Sequence, residues 1–126
     1  MALSIKVEKK PNHVYAVELK GAIDAESHQK LEDEVKELIH DGTKAVIMDM
    51  KAVDYISSVG IRVVVWAKKT LEKKLATFAM INLQPQIEKV FEVMKILPMI
   101  DIFEDMAEAD QYIDQIIKEE IEKNRA

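Results

Sequence analysis

Cysteine is absent from this 126-residue chain, which excludes disulfides and thiolate chemistry. Glycine occurs three times, too rarely to build a phosphate-cradling loop, and there is no P-loop, dinucleotide fingerprint or Gly-x-Ser-x-Gly elbow. Proline also occurs three times, so low-complexity and disordered segments are not expected. No apolar run reaches membrane-spanning length, and Met1 to Lys6 lacks the apolar core of a signal peptide. A basic patch is missing as well: the net charge is -5, with both signs interspersed, which argues against nucleic acid or an anionic membrane as partner. His13, His28 and His40 are scattered without an i, i+4 pair, so no metal site is expected. Asp49 and Asp54 are the only suggestion of paired carboxylates. With no base set beside a nucleophile, the expectation is a soluble, cytoplasmic protein that is not an enzyme and carries no cofactor.

What is present is a chain of 48% hydrophobic and 33% charged residues, long enough to bury a core as a single domain over 1–126. It is organised around Lys44 to Val65. Ala45 to Met48 reads as a buried strand running into Asp49 and Met50, and Lys51 to Tyr55 reads as a short link. Ile56-Ser57-Ser58-Val59-Gly60 is a small-residue turn feeding a helix that starts at the serines and carries Ile61 to Ala67. A serine there can cap orphan backbone N–H groups. The same groups favour an added negative charge, so the hydroxyl is a cap or a place for a phosphate.

The remaining elements follow from periodicity. Ile5, Val7, Val14, Ala16, Val17 and Leu19 suggest a hairpin about Pro11-Asn12. Gly21 interrupts it, and a helix follows from Ile23-Asp24, capped by Asp24 or Ser27. Leu31, Val35, Leu38 and Ile39 lie on its buried face. Gly42 is placed to end it in a left-handed conformation. Leu75 to Ile81 reads as a buried strand. A helix opens at Pro85 with Ile87, Val90, Phe91 and Met94 buried, and Pro98 closes it. Ile100 to Phe103 suits a short edge strand. The last helix, about 107–124, turns Ala109, Tyr112, Ile113, Ile116 and Ile117 inward, and its charged end extends past the core. This alternation predicts a mixed sheet of four to five strands with four to five helices packed on it.

Gly21-Ala22-Ile23-Asp24, Ala45 to Met50, Val53 to Ile61, Leu75 to Ile81 and the Pro85 helix together resemble the STAS family, within it the bacterial anti-sigma factor antagonists. The resemblance spans about Ile5 to Ile117 and implies the STAS fold. It implies a regulator of transcription that binds an anti-sigma factor, often a serine kinase, when unmodified. Phosphorylation of a serine releases the partner, and a PP2C-type phosphatase reverses the modification. Carried over, the phosphoacceptor is Ser58, with Ser57 the alternative. Many members place an aspartate where Ser57 stands, so this chain lacks a fixed negative charge beside the hydroxyl. Asp24 matches the family's acidic residue after the second strand and is equally suited to capping.

Asp24, Tyr55, Ser57, Ser58, Gly60 and Arg62 are the residues expected at the docking surface. Trp66 suits either the core or a partner contact. Among the seven methionines, Met48, Met80, Met94, Met99 and Met106 are expected mostly in the core, with the last three also suited to an adaptable surface. The apolar helix from Ile61 and the long last helix support a second reading, a scaffold or assembly subunit acting by oligomerisation without phosphate control, with a homodimer as its simplest form.

Overall fold

The computed structural model describes residues 2–125. Its elements run β1 (Ser4–Lys10), β2 (Val14–Ile23), α1 (His28–Leu38), β3 (Ala45–Ile56), α2 (Ser58–Lys73), β4 (Thr77–Ile81), α3 (Pro85–Val93), β5 (Asp101–Phe103) and α4 (Met106–Arg125), with a 3-10 turn at Leu97–Met99. The strands form one five-stranded sheet in the order β1-β2-β3-β4-β5. β1 and β2 are an antiparallel hairpin, and every later pairing is parallel. The expected mixed sheet with helices packed on it is therefore present.

Burial explains which residues build which face. Val17, Leu19, Val46, Met48, Met50, Phe78 and Met80 join Leu31 and Val35 of α1, Ile61, Val64, Ala67 and Leu71 of α2, and Ile87 and Phe91 of α3 in the main core. On the opposite face, Val14, Ala45, Ile47, Ala79 and Ile81 pack under Ala109 and Ile113 of α4. The first part of β3, Ala45 to Met48, and β4 are buried on both faces, which is why they read as continuous apolar runs.

Several boundaries differ from the sequence expectation. β2 runs through Gly21, which takes φ +120; a Cβ there would strike the backbone oxygen of Ala2. Glycine is what lets the strand continue. Lys51 to Tyr55 is strand rather than link: β3 stays paired with β2 as far as Ile23↔Ile56, advancing one residue more than β2 at each of two register shifts. Gly42 does not end α1 in a left-handed conformation. That helix stops at Leu38, where the buried Thr43 hydroxyl donates to the Leu38 carbonyl at 2.6 Å and accepts the His40 N–H at 3.1 Å.

Left-handed positions fall instead on Asn12, His13, Leu75, Asn82 and Lys95. Leu75 lies outside β4, 88% exposed. It ends α2 with its N–H on Glu72 O, while the Ala76 N–H reaches Leu71 O. α3 ends the same way at Lys95, with Ile96 N–H on Phe91 O, so the helix is finished before Pro98 and Met94 is exposed rather than buried. Met99 is exposed too, whereas Met48 and Met80 are fully buried and Met106, the first residue of α4, packs against the cluster on the opposite face. Along α4, Ile117 still packs on the sheet and Lys44 Nζ pairs with Glu120 at 3.2 Å, while Ile121 to Arg125 are exposed.

Candidate functional site

The serine turn stands where β3 hands the chain to α2. The Ser57 N–H donates to the Ile23 carbonyl at 2.8 Å, which fixes the turn to the end of β2. Ser57 has extended backbone angles, and its hydroxyl oxygen accepts the Gly60 N–H at 3.3 Å. This is an N-cap. Ser58 is the first helical residue; it is exposed, and its hydroxyl makes no hydrogen bond among the described residues. The cap is thus Ser57 alone, and the neighbouring Ser58 side chain takes no part in it.

Gly60, expected at the docking surface, is buried and contacts the protein interior instead. A Cβ on it would lie 2.8 Å from Ile23 Cγ2, the Ile23 carbonyl oxygen and Ile56 Cγ1. The absence of a side chain seats the first turn of α2 directly on the ends of β2 and β3. Its φ is not positive; close approach is the reason for glycine.

Asp24 follows Ile23 and so lies at the same end of the sheet. Its Oδ1 accepts the N–H groups of Glu26 and Ser27, each at 3.0 Å, and the His28 N–H bonds to its carbonyl at 2.9 Å. Desolvation pushes the Asp24 carboxyl up, but the bonds from the Ser27 backbone, the Ser27 hydroxyl and the Glu26 backbone together draw it below its ordinary value. Asp24 is therefore a carboxylate of the turn before α1 that stays ionised, and it is half-buried. Ser27 is the buried counterpart: its hydroxyl donates to the Ala22 carbonyl at 2.7 Å and accepts the Asp24 N–H at 3.0 Å. Sequence reading offered Asp24 and Ser27 as alternative caps; Ser27 stands at the cap position of α1 but its side chain bonds no helix N–H, and the two side chains together order the turn ahead of the helix.

Tyr55 is paired in register with Ala22 and is 54% exposed, an amphipathic side chain next to the serines. Arg62 lies one helical turn beyond Ser58, exposed, and forms no ion pair among the described residues. Trp66 is half-buried against the main core. Two residues not anticipated hold the end of β3: Gln84 Nε2 donates to the Lys51 carbonyl at 2.8 Å, and Gln86 Nε2 to that of Asp54 at 3.4 Å. Their only sequence signal was a position beside Pro85.

Asp49 accepts the Lys51 N–H and the Asn82 side-chain amide, each at 3.0 Å, so it is engaged structurally. No group of three or more His, Asp or Glu side chains among the described residues is close enough to hold a metal ion. Concavities of about 820 and 700 Å³ lie elsewhere, the first beside Lys20, Lys30 and Asp54, the second beside Asn82, Glu88 and Glu108. Neither is lined by Ser57 or Ser58. The serine turn is a surface rather than a cleft.

Comparison with known proteins gives concordant results. The STAS domain description matches residues 4–109. BtrV of Bordetella bronchiseptica, provisionally described as an anti-sigma factor antagonist, is 31% identical over 84 residues, covering 67% of this chain and 72% of its own. The crystal structure of an anti-sigma factor antagonist from Mycobacterium paratuberculosis superposes with a TM-score of 0.81 at 19% identity, covering 90% of this chain and 95% of that one. The anti-sigma factor antagonist SpoIIAA in its unphosphorylated form superposes with a TM-score of 0.77 at 17% identity, covering 89% and 97%. No helix among the described residues is long and apolar enough to cross a membrane.

Proposed function

The chain belongs to the STAS domain family, and we propose that within it the protein is a phosphorylation-controlled interaction switch. Kinship with anti-sigma factor antagonists supports a regulatory role. The proposed cycle is specific: the unmodified protein binds an anti-sigma factor that is also a serine kinase, and phosphorylation of Ser58 releases it. A PP2C-type phosphatase restores the binding form. The protein itself performs no catalysis and works in the cytoplasm.

The observation that carries this reading is the division of labour at the turn. Ser57 already satisfies the helix cap, so the exposed Ser58 hydroxyl is free for transfer without dismantling α2. A phosphoryl group adds a charge of about −1.5 to −2. At the first turn of α2, where no acidic residue stands, the free N–H groups favour that charge, and Arg62 is within the same stretch of helix to pair with it. The fold accepts the phosphate while a docked partner does not: an apolar or acidic partner surface would face a charge it cannot desolvate. Tyr55, Asp24, Ser57 and Arg62 frame the docking surface around Ser58. Gly60 shapes it from beneath.

The test is affinity capture from the source cell with wild type and Ser58→Asp, together with intact-mass analysis of the native protein. The switch reading expects a kinase-type partner on wild type, its loss on Ser58→Asp, and a phosphate mapped to Ser58. Equal capture by both forms, with no phosphate found, would overturn it in favour of the scaffold.

A further inference from the structure

β1 is an edge strand of unusual regularity. Its seven residues, Ser-Ile-Lys-Val-Glu-Lys-Lys, pair with β2 without a register shift from Ser4↔Lys20 to Lys10↔Val14. Its other edge meets no strand among the described residues. It carries no proline or bulge, the devices that normally blunt such an edge. Its lysines are the remaining guard, and their arrangement is selective rather than uniform.

Lys6, Glu8 and Lys10 point to the α4 side, where Lys10 is already neutralised by Asp110 at 3.1 Å. Lys6 and Glu8 form no ion pair among the described residues. Directly across on β2, Lys6 has Glu18 but Glu8 has only Ala16. On the other face Val7 sits opposite the fully buried Val17, yet is itself 37% exposed at the rim of the main core.

Now place a second β1 antiparallel to the first with Val7 on the two-fold axis. Each Lys6 then faces the Glu8 of the other copy, and the two Val7 side chains meet. Lys9 lies against Ile5, and Lys10 against Ser4. The row across the sheet on the α4 side becomes Glu18, Lys6 and the second copy's Glu8, alternating in sign. Centring the pair on Lys6 or on Glu8 would instead set like charges on the axis, which is unfavourable. An axis perpendicular to the sheet also keeps α1, α2 and α3 of both copies on one side and both α4 helices on the other.

We propose that β1 is a self-association surface, through which two copies join in this register to form one continuous ten-stranded sheet. The interface is isologous, as closed dimers require. It is small, so association depends on concentration. It does not depend on the phosphate reading, since it uses neither Ser58 nor α2.

The absence of cysteine makes the register directly testable. Val7→Cys and Lys9→Cys each introduce a single thiol on the exposed strand. In the proposed register the two thiols of Val7→Cys are directly opposed, within the Cα separation that a disulfide needs; residue 9 faces residue 5, not itself. Mild oxidation of the intact protein is expected to give disulfide-linked dimer with Val7→Cys and little with Lys9→Cys. Sedimentation of wild type over a concentration series is expected to show a monomer–dimer equilibrium. Glu8→Lys, which turns both cross-copy pairs repulsive, should weaken it on the order of tenfold, with thermal unfolding confirming that the variant is folded. A wild type that stays monomeric throughout, equal crosslinking at both positions, or a dimer indifferent to Glu8→Lys would each overturn the proposal.

Discussion

The Ser57 hydroxyl oxygen lies 3.3 Å from the Gly60 backbone nitrogen and accepts its hydrogen. That bond spans one turn and commits Ser57 to the helix start, leaving Ser58 exposed. Local helix geometry creates this asymmetry: only the residue before the first turn can fold its side chain back onto the N–H three residues ahead.

Ser57→Ala should therefore lower unfolding stability by roughly 0.5–1 kcal/mol, the lower part of the range for a lost cap because the bond is long. Ser58→Ala should stay within about 0.5 kcal/mol of wild type, as expected for an exposed first-turn residue. Denaturant titration of the two variants separates the roles. Equal losses would mean that Ser58 also supports the helix, and the case for a free phosphoacceptor would fail.

Gly60→Ala tests the close approach. A better intrinsic helix former gains about 1 kcal/mol in a helix interior. Here the new Cβ would lie 2.8 Å from a backbone carbonyl oxygen and from two isoleucine side chains. Backbone cannot swing aside as a flexible side chain can, so overpacking, at about 1–3 kcal/mol, outweighs propensity. The expected net result is a destabilised protein with a displaced first turn of α2, visible as shifted amide resonances for Ser57 to Ile61.

Leu75→Gly should do the reverse. Leu75 holds a φ of 59 at the end of α2 with its side chain almost fully in solvent, so no packing is lost on removing it. Relief of the left-handed strain, about 1–2 kcal/mol, exceeds the extra freedom given to the unfolded chain, about 0.4–1 kcal/mol. A gain of about 0.5–1 kcal/mol in denaturant unfolding is expected, and a loss would show that the exposed leucine has a contact worth more than the strain.

The proposed role of Ser58 comes from the resemblance to the STAS family; what the sequence by itself determined is the layer architecture and the helix start at the serines. These rest on features read within a few residues: the period of apolar positions, a hydroxyl before a helix, a run too apolar for anything but a buried strand. Local chemistry could not reveal that β3 continues to Ile56, because its later residues are held by β2 and by Gln84 and Gln86, some thirty residues away in either direction. Nor could it show that Thr43, not Gly42, finishes α1. The scattered histidines are a further case: His40 Nε2 comes within 2.9 Å of the Tyr15 hydroxyl, and its ring meets His13 edge-on at 6.1 Å. Gly60 is the sharpest instance. As one letter after Val59 it looked like part of a docking turn. Only the approach of Ile23 and Ile56, set by how β2 and β3 pair, makes it the buried seat on which that turn rests.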